Sequence, residues 1–116
     1  MSTPIAFYSP SRRVENLVFC SGQLGLANGE LVEGVAAQTD QAMSNITTVL
    51  STHGATLDDV VKTTIFLADI DDYAMVDERY SAAFGEGEPP ARSAVAVAGL
   101  PRGARVEIEA IAHLAG

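Results

Sequence analysis

"PPARSAVAVAGLPRGARVEIEAIAHL", residues 89–114, decides how this chain is read. Two apolar runs, about 91–98 and 104–113, each alternate with period two, which is the signature of β-strands. In the first, Ser93, Val95 and Val97 share one face, while Arg92, Ala94, Ala96 and Ala98 share the other. In the second, Glu107 and Glu109 point one way and Val106, Ile108 and Ala110 the other. Charged side chains are rarely buried without a partner. Arg92, Glu107 and Glu109 therefore mark either a structural ion pair or a site.

Upstream, "DVVKTTIFLAD" (59–69) predicts a strand apolar on both faces, with Val61, Ile65 and Leu67 on one and Val60, Phe66 and Ala68 on the other. Between these strands, "DIDDYAMVDERYSAAFG" (69–85) predicts a helix with Tyr73, Val76, Tyr80 and Phe84 on its inner stripe. The aspartates that begin it read as an N-cap and favourable dipole charges rather than a metal site. A longer helix is expected from Gly34 to His53, where Val35, Ala42, Met43, Ile46, Val49 and Leu50 recur at helical spacing. Gly54 stands where a left-handed cap would end it, which makes His53 a helix-end residue. "NLVFCSGQLGL" (16–26) reads as a strand, with Asn28 and Gly29 forming a tight hairpin turn and "ELV" returning.

The order is hairpin, helix, strand, helix, two strands: an α+β domain over residues 1–116, with about six strands and two helices on one sheet. Two helices cover only one face. The alanine face of strand 91–98 suits close approach by a second subunit, so a homo-oligomer is expected.

Composition narrows the function. A net charge of −8 and the lack of a basic cluster argue against nucleic acid. No apolar run approaches the ~20 residues of a spanning helix, so no membrane partner is expected. "MSTPIAFYSPSRR" has no apolar signal core, and the single cysteine, Cys20, fits a reducing compartment. A cytoplasmic location follows as an expectation. Cys20 itself reads as a small buried hydrophobe.

Most chemical motifs are absent. "SGQLGL" and "FGEGEPP" lack the lysine and hydroxyl of a phosphate loop. His53 and His113 have no zinc-ligand spacing to each other or to Cys20, and there is no GxSxG elbow. Lys62 reads as a residue that extends its charge to the rim. What remains is Arg92 with Glu107 and Glu109. They form a self-neutralising buried pair, or Arg92 offers its planar fork to a ligand carboxylate while a glutamate handles a proton. Pattern alone leaves both open.

The chain resembles the reactive-intermediate deaminase (Rid, or YjgF-like) family over nearly its whole length. The resemblance rests on "FCSGQ" (19–23), "NGELVEGVAAQTDQAMSNITTVL" (28–50), "VVKTTIFLAD" (60–69), "PARSAVAV" (90–97) and "VEIEAIA" (106–112), in that order and spacing. It implies a chorismate-mutase-like α+β fold and a homotrimer with clefts between subunits. The implied activity is cofactor-free hydrolysis of 2-imino or enamino acids to 2-oxo acids and ammonia. Arg92 matches the family's carboxylate-binding residue and Glu107 the residue associated with water activation, which leaves Glu109 a structural role. Tyr8 in "FYSP" matches the N-terminal tyrosine, and Ser21 and Gly22 the cleft-lining turn.

Three departures stand out. Ala6 and Phe7 replace a frequent Gly-Pro, Asp77 stands where asparagine is common, and Ala94 replaces cysteine or threonine. The backbone N–H of Ala94 is still available to a ligand. Asp77 is expected to weaken anion binding or change substrate preference. Beside the deaminase stand two other expectations: a trimeric binder or regulator of small carboxylates without turnover, and, ranked last, a ribonuclease.

Overall fold

The structure, a computed structural model, describes residues 6–115; the first five residues of the segment read for an export signal lie outside these. Strands β1 (Ser11–Val14), β2 (Leu17–Leu24), β5 (Val60–Leu67), β6 (Ala91–Ala96) and β7 (Val106–His113) form one sheet in the order β1-β2-β7-β5-β6. Helices α1 (Val35–Ser51) and α2 (Tyr73–Phe84) pack on one side of it. β3 (Leu26–Ala27) and β4 (Glu30–Leu31) make a separate two-stranded ribbon. The main sheet is thus five-stranded and mixed. β5 and β6 run parallel because the chain crosses over through α2, and every other pairing in the sheet is antiparallel.

The helix-side core is mostly apolar. Ile46 and Leu50 of α1 and Val76 of α2 meet Ile65 and Leu67 of β5 and Val106 and Ile108 of β7, all fully buried. α1 ends at Ser51, two residues earlier than expected, and Gly54 has a φ of +74° as its place after the helix required. His53 lies beyond the helix, with Nε2 2.7 Å from the Ser11 hydroxyl. Cys20 is buried, as read, and burial with the nearby Glu109 charge pushes its thiol up to about 11.

Four expectations change. The hairpin at Asn28 (φ +54°) and Gly29 (φ +81°) forms, but β4 pairs with β3 and stays out of the main sheet. β2 instead pairs with β1, an edge strand whose turn places Glu15 at φ +53°. In β5 an irregularity between Val60 and Lys62 buries Val60 and exposes Val61, the reverse of simple alternation. Tyr73 is exposed rather than in the core, since it opens α2 at the sheet's rim.

The fourth change concerns the alanine face of β6. Register pairs Arg92 with Thr63 and Ala94 with Ile65, which places both on the helix side. Ala94 is half-buried against the helix-side core, while Ala96 of the same strand face is exposed. The uncovered face is the opposite one, with Ser93 and Val95 of β6, Phe66 of β5 and Glu107, Glu109 and Ile111 of β7. It continues across Phe19 and Leu17 to Val14, and Phe19 is 41% exposed. Lys62 lies on this face too, donating to the Ser93 hydroxyl at 3.0 Å.

Candidate functional site

On the helix side, Arg92 leaves β6 toward the first two turns of α2. Its Nη1 donates to Asp77 Oδ1 at 2.5 Å and its Nη2 donates to the Tyr73 hydroxyl. The guanidinium also lies 5.5 Å from the Tyr73 ring centre and 5.3 Å from that of Tyr80. Tyr73, Asp77 and Tyr80 can all reach one arginine because spacings of four and three share a helix face. Tyr80 is held in turn by Thr63, their hydroxyl oxygens 2.5 Å apart. Asp77 accepts from Arg92, and that bond outweighs the opposing effect of burial and, with the tyrosines, holds the guanidinium more firmly protonated than usual. Only 22% of the Arg92 side chain is exposed, against 44% for Asp77.

On the open side, β2 carries one extra residue between Cys20 and Gln23, so the pairing with β7 jumps from Cys20–Ala110 to Gln23–Ile108. Gly22 sits in this bulge against Glu107: a Cβ there would lie 2.3 Å from Glu107 Oε2. Any larger residue here would push that carboxylate aside. Burial, and then the like charge of Glu109, raise the Glu107 carboxyl above the ordinary range. A carboxylate so placed holds a proton more readily than an ordinary one. A cavity of about 360 Å³ opens here, with Gly22, Phe66, Val97, Leu100, Glu107 and Glu109 on its walls.

Ser21 ties this region to the N-terminal segment. Its hydroxyl donates to the Ser9 carbonyl at 2.6 Å, and its N–H to the Pro10 carbonyl at 2.9 Å. Tyr8, on that segment, faces a different hollow beside Gln23 and Asn45.

The expected site residues therefore fall into three groups. Arg92, Asp77 and Ala94 stand together on the helix side, Gly22 and Glu107 together on the open side with Ser21 next to Gly22 in the bulge, and Tyr8 apart from both. Arg92 and Glu107 form no pair, because the sheet itself separates them. The ion pair considered for Arg92 exists, but its partner is Asp77. Of the aspartates before α2, Asp69 caps a short 3-10 turn (Ile70–Asp72) by accepting from the Asp71 N–H at 2.9 Å, whereas Asp72, at the N-cap of α2, makes no capping bond and accepts instead from Arg105 at 2.6 Å. Tyr73 and Tyr80 are the site residues that the apolar-stripe reading absorbed. Their spacing with Asp77, and the placement of all three above an arginine-bearing strand, was the available signal.

The sequence model of the family described as Endoribonuclease L-PSP matches residues 2–114. The chain belongs to this family, the Rid or YjgF-like proteins. A mouse relative named 2-iminobutanoate/2-iminopropanoate deaminase is 46% identical over 108 residues, covering 90% of this chain and 79% of the relative. A RutC family protein of Pyrococcus abyssi is 43% identical, covering 95% of this Rid chain and 88% of its own. Among solved structures, RidA from the Antarctic bacterium Psychrobacter sp. superposes with a TM-score of 0.93 at 41% identity, over 97% of this chain and 91% of that one. The E. coli TdcF structure with bound serine also gives 0.93, at 33% identity and the same coverage. The five-stranded sheet with two helices is thus the fold of solved Rid proteins. Among the described residues, no helix is long and apolar enough to cross a membrane.

Proposed function

We propose that this Rid protein is a cofactor-free hydrolase that converts 2-imino and enamino acids to 2-oxo acids and ammonia, in clefts between the subunits of a homotrimer. The observation that carries this reading is the placement of Arg92 and Glu107 on opposite faces of one sheet. One chain cannot bring them together. Two copies can, if the open face of one meets the β6 edge of the next. The exposed apolar residues Val14, Leu17, Phe19 and Val95 give that face a reason to be covered. Relatives named as imine deaminases supply the reaction class.

In this mechanism Arg92, fixed by Asp77 and two tyrosines, grips the substrate carboxylate with its remaining donors. Gly22, Ser21, Tyr8 and the backbone N–H of Ala94 complete the walls. The substrate reacts as its iminium ion, which is already electrophilic at C2. Glu107 of the neighbouring copy takes a proton from water as the water oxygen bonds to C2. The resulting carbinolamine accepts a proton on nitrogen, loses one from oxygen, and the C–N bond breaks to give ammonia and the 2-oxo acid. Water and imine enter, ammonia and oxo acid leave, and no electrons are exchanged. Location in the cytoplasm and the absence of a nucleic-acid partner belong to the same proposal. The net charge of −8 and the engagement of His53 with Ser11 count against RNA cleavage, despite the family's description.

Asp77 on Arg92 favours a second reading, a carboxylate binder without turnover. One assay separates the two. An amino-acid oxidase generates the imine, and its decay is followed with and without the protein. Faster decay that Arg92→Ala and Glu107→Gln each abolish is the expected result. Unchanged decay with intact 2-oxo-acid binding would leave only the binder.

A further inference from the structure

Arg92 meets any ligand with both terminal nitrogens already engaged, one by a carboxylate and one by a phenol. Of the five N–H donors of a guanidinium, two are used and three are left. The site is also not a bare cation. Asp77 cancels the arginine's charge at hydrogen-bonding distance, and it lies at the more exposed end of the pair, 44% against 22%. A ligand carboxylate that reaches the free donors therefore enters the field of a second carboxylate a few ångströms away. A ligand with a positive nitrogen next to its carboxylate suffers no such penalty, because that nitrogen faces Asp77 while its carboxylate faces Arg92.

From this we infer that Asp77 is a specificity-determining residue, which makes the Arg92 site select zwitterionic 2-amino and 2-iminium acids over simple 2-oxo anions. The inference rests on the proposed role of Arg92 as carboxylate anchor and deepens it. The substrate of the proposed reaction, as its iminium ion, is a zwitterion, whereas the product is a monoanion. Asp77 therefore holds the substrate and expels the product. Its exposure keeps the pair openable, since a half-solvated ion pair is worth little.

The test compares two ligands with one carbon skeleton, 2-oxobutanoate and L-2-aminobutyrate. Calorimetric titration of the wild type, Asp77→Asn and Arg92→Ala reads the dissociation constants. Asparagine keeps the shape and still accepts from Arg92 through its amide oxygen, so the arginine stays in place. Asp77→Asn should bind 2-oxobutanoate roughly five- to tenfold more tightly and L-2-aminobutyrate no better than the wild type does. Product inhibition by 2-oxobutanoate should strengthen by the same factor. Equal changes for both ligands, no change for either, or a wild type that fails to bind the amino acid would overturn the inference. Arg92→Ala separates the two claims. If it removes binding while Asp77→Asn leaves the preference unchanged, the selectivity role alone fails. If both ligands bind Arg92→Ala normally, the anchor itself fails.

Discussion

The two faces of the sheet carry the same kind of strand residues and use them differently. On the helix side, alternate positions of β2, β5 and β7 are aliphatic and fully buried, and the polar groups there are paired. Thr63 meets Tyr80, Arg92 meets Asp77, and no buried side-chain polar atom among the described residues lacks a partner. On the open side, Phe19, Leu17 and Val95 face outward beside Glu107 and Glu109, two like charges two residues apart on one strand. The first face is finished within one chain. The second has the apolar area and the awkward charges of a surface that another molecule completes. Half of the proposed site lies on each.

The largest expected effect separates the faces by stability. Ile108→Ala removes a fully buried side chain from the finished face and should cost roughly 2–5 kcal/mol by chemical denaturation, at any protein concentration. Phe19→Asp, on the open face, should barely change the stability of one chain but should drive the oligomer to monomers in light scattering. A variant that stays monomer-free would show that the open face is not the contact.

Next comes Gly22→Ala. The atom in the way is the end of a flexible glutamate, so the carboxylate can swing aside and the fold should melt within a degree or two of the wild type. Turnover should fall at least tenfold, because the base has moved. Loss of folding without that displacement would make Gly22 merely a backbone requirement.

Much of the fold was legible from periodicity. The long helix, the strand at 59–69 and the final pair of strands all came from residue spacing within one element. What spacing cannot supply is the relation between elements. Alternation correctly set Arg92 with Ala94 and Glu107 with Glu109, but only the parallel register of β6 on β5 tells which set faces the helices. That is why Arg92 was weighed against the glutamates of the last strand instead of Asp77. β1 was missed for a different reason: "SRRV" at a sheet edge is exposed at three of its four positions and has no apolar alternation to detect. Family resemblance implies that Arg92 and Glu107 act together, and the fold places them on opposite faces of the sheet.

The smallest expected effect is in pH dependence. Glu107 must be ionised to act as base, and its carboxyl titrates above the ordinary range, so turnover should fall as pH drops through that raised value. Glu109→Gln removes the second cause and should move this acidic limb to lower pH without abolishing activity. The stability sign is opposite. A carboxyl raised in the folded state stabilises below its unfolded pKa, and this contribution is lost as pH rises through the folded one. Glu107→Gln should therefore melt slightly higher than the wild type at neutral pH. An acidic limb unmoved by Glu109→Gln would mean that another group controls it.

The central claim, that one cleft takes Arg92 from one copy and Glu107 from another, is tested by mixing inactive variants. Arg92→Ala and Glu107→Gln are purified separately, unfolded together in equal amounts, refolded, and assayed for imine decay. Random assembly gives a cleft with both native residues about a quarter of the time, so the mixture should recover about a quarter of wild-type turnover. If mixed oligomers form and turnover stays at the level of the separate variants, the two residues do not work across a subunit boundary.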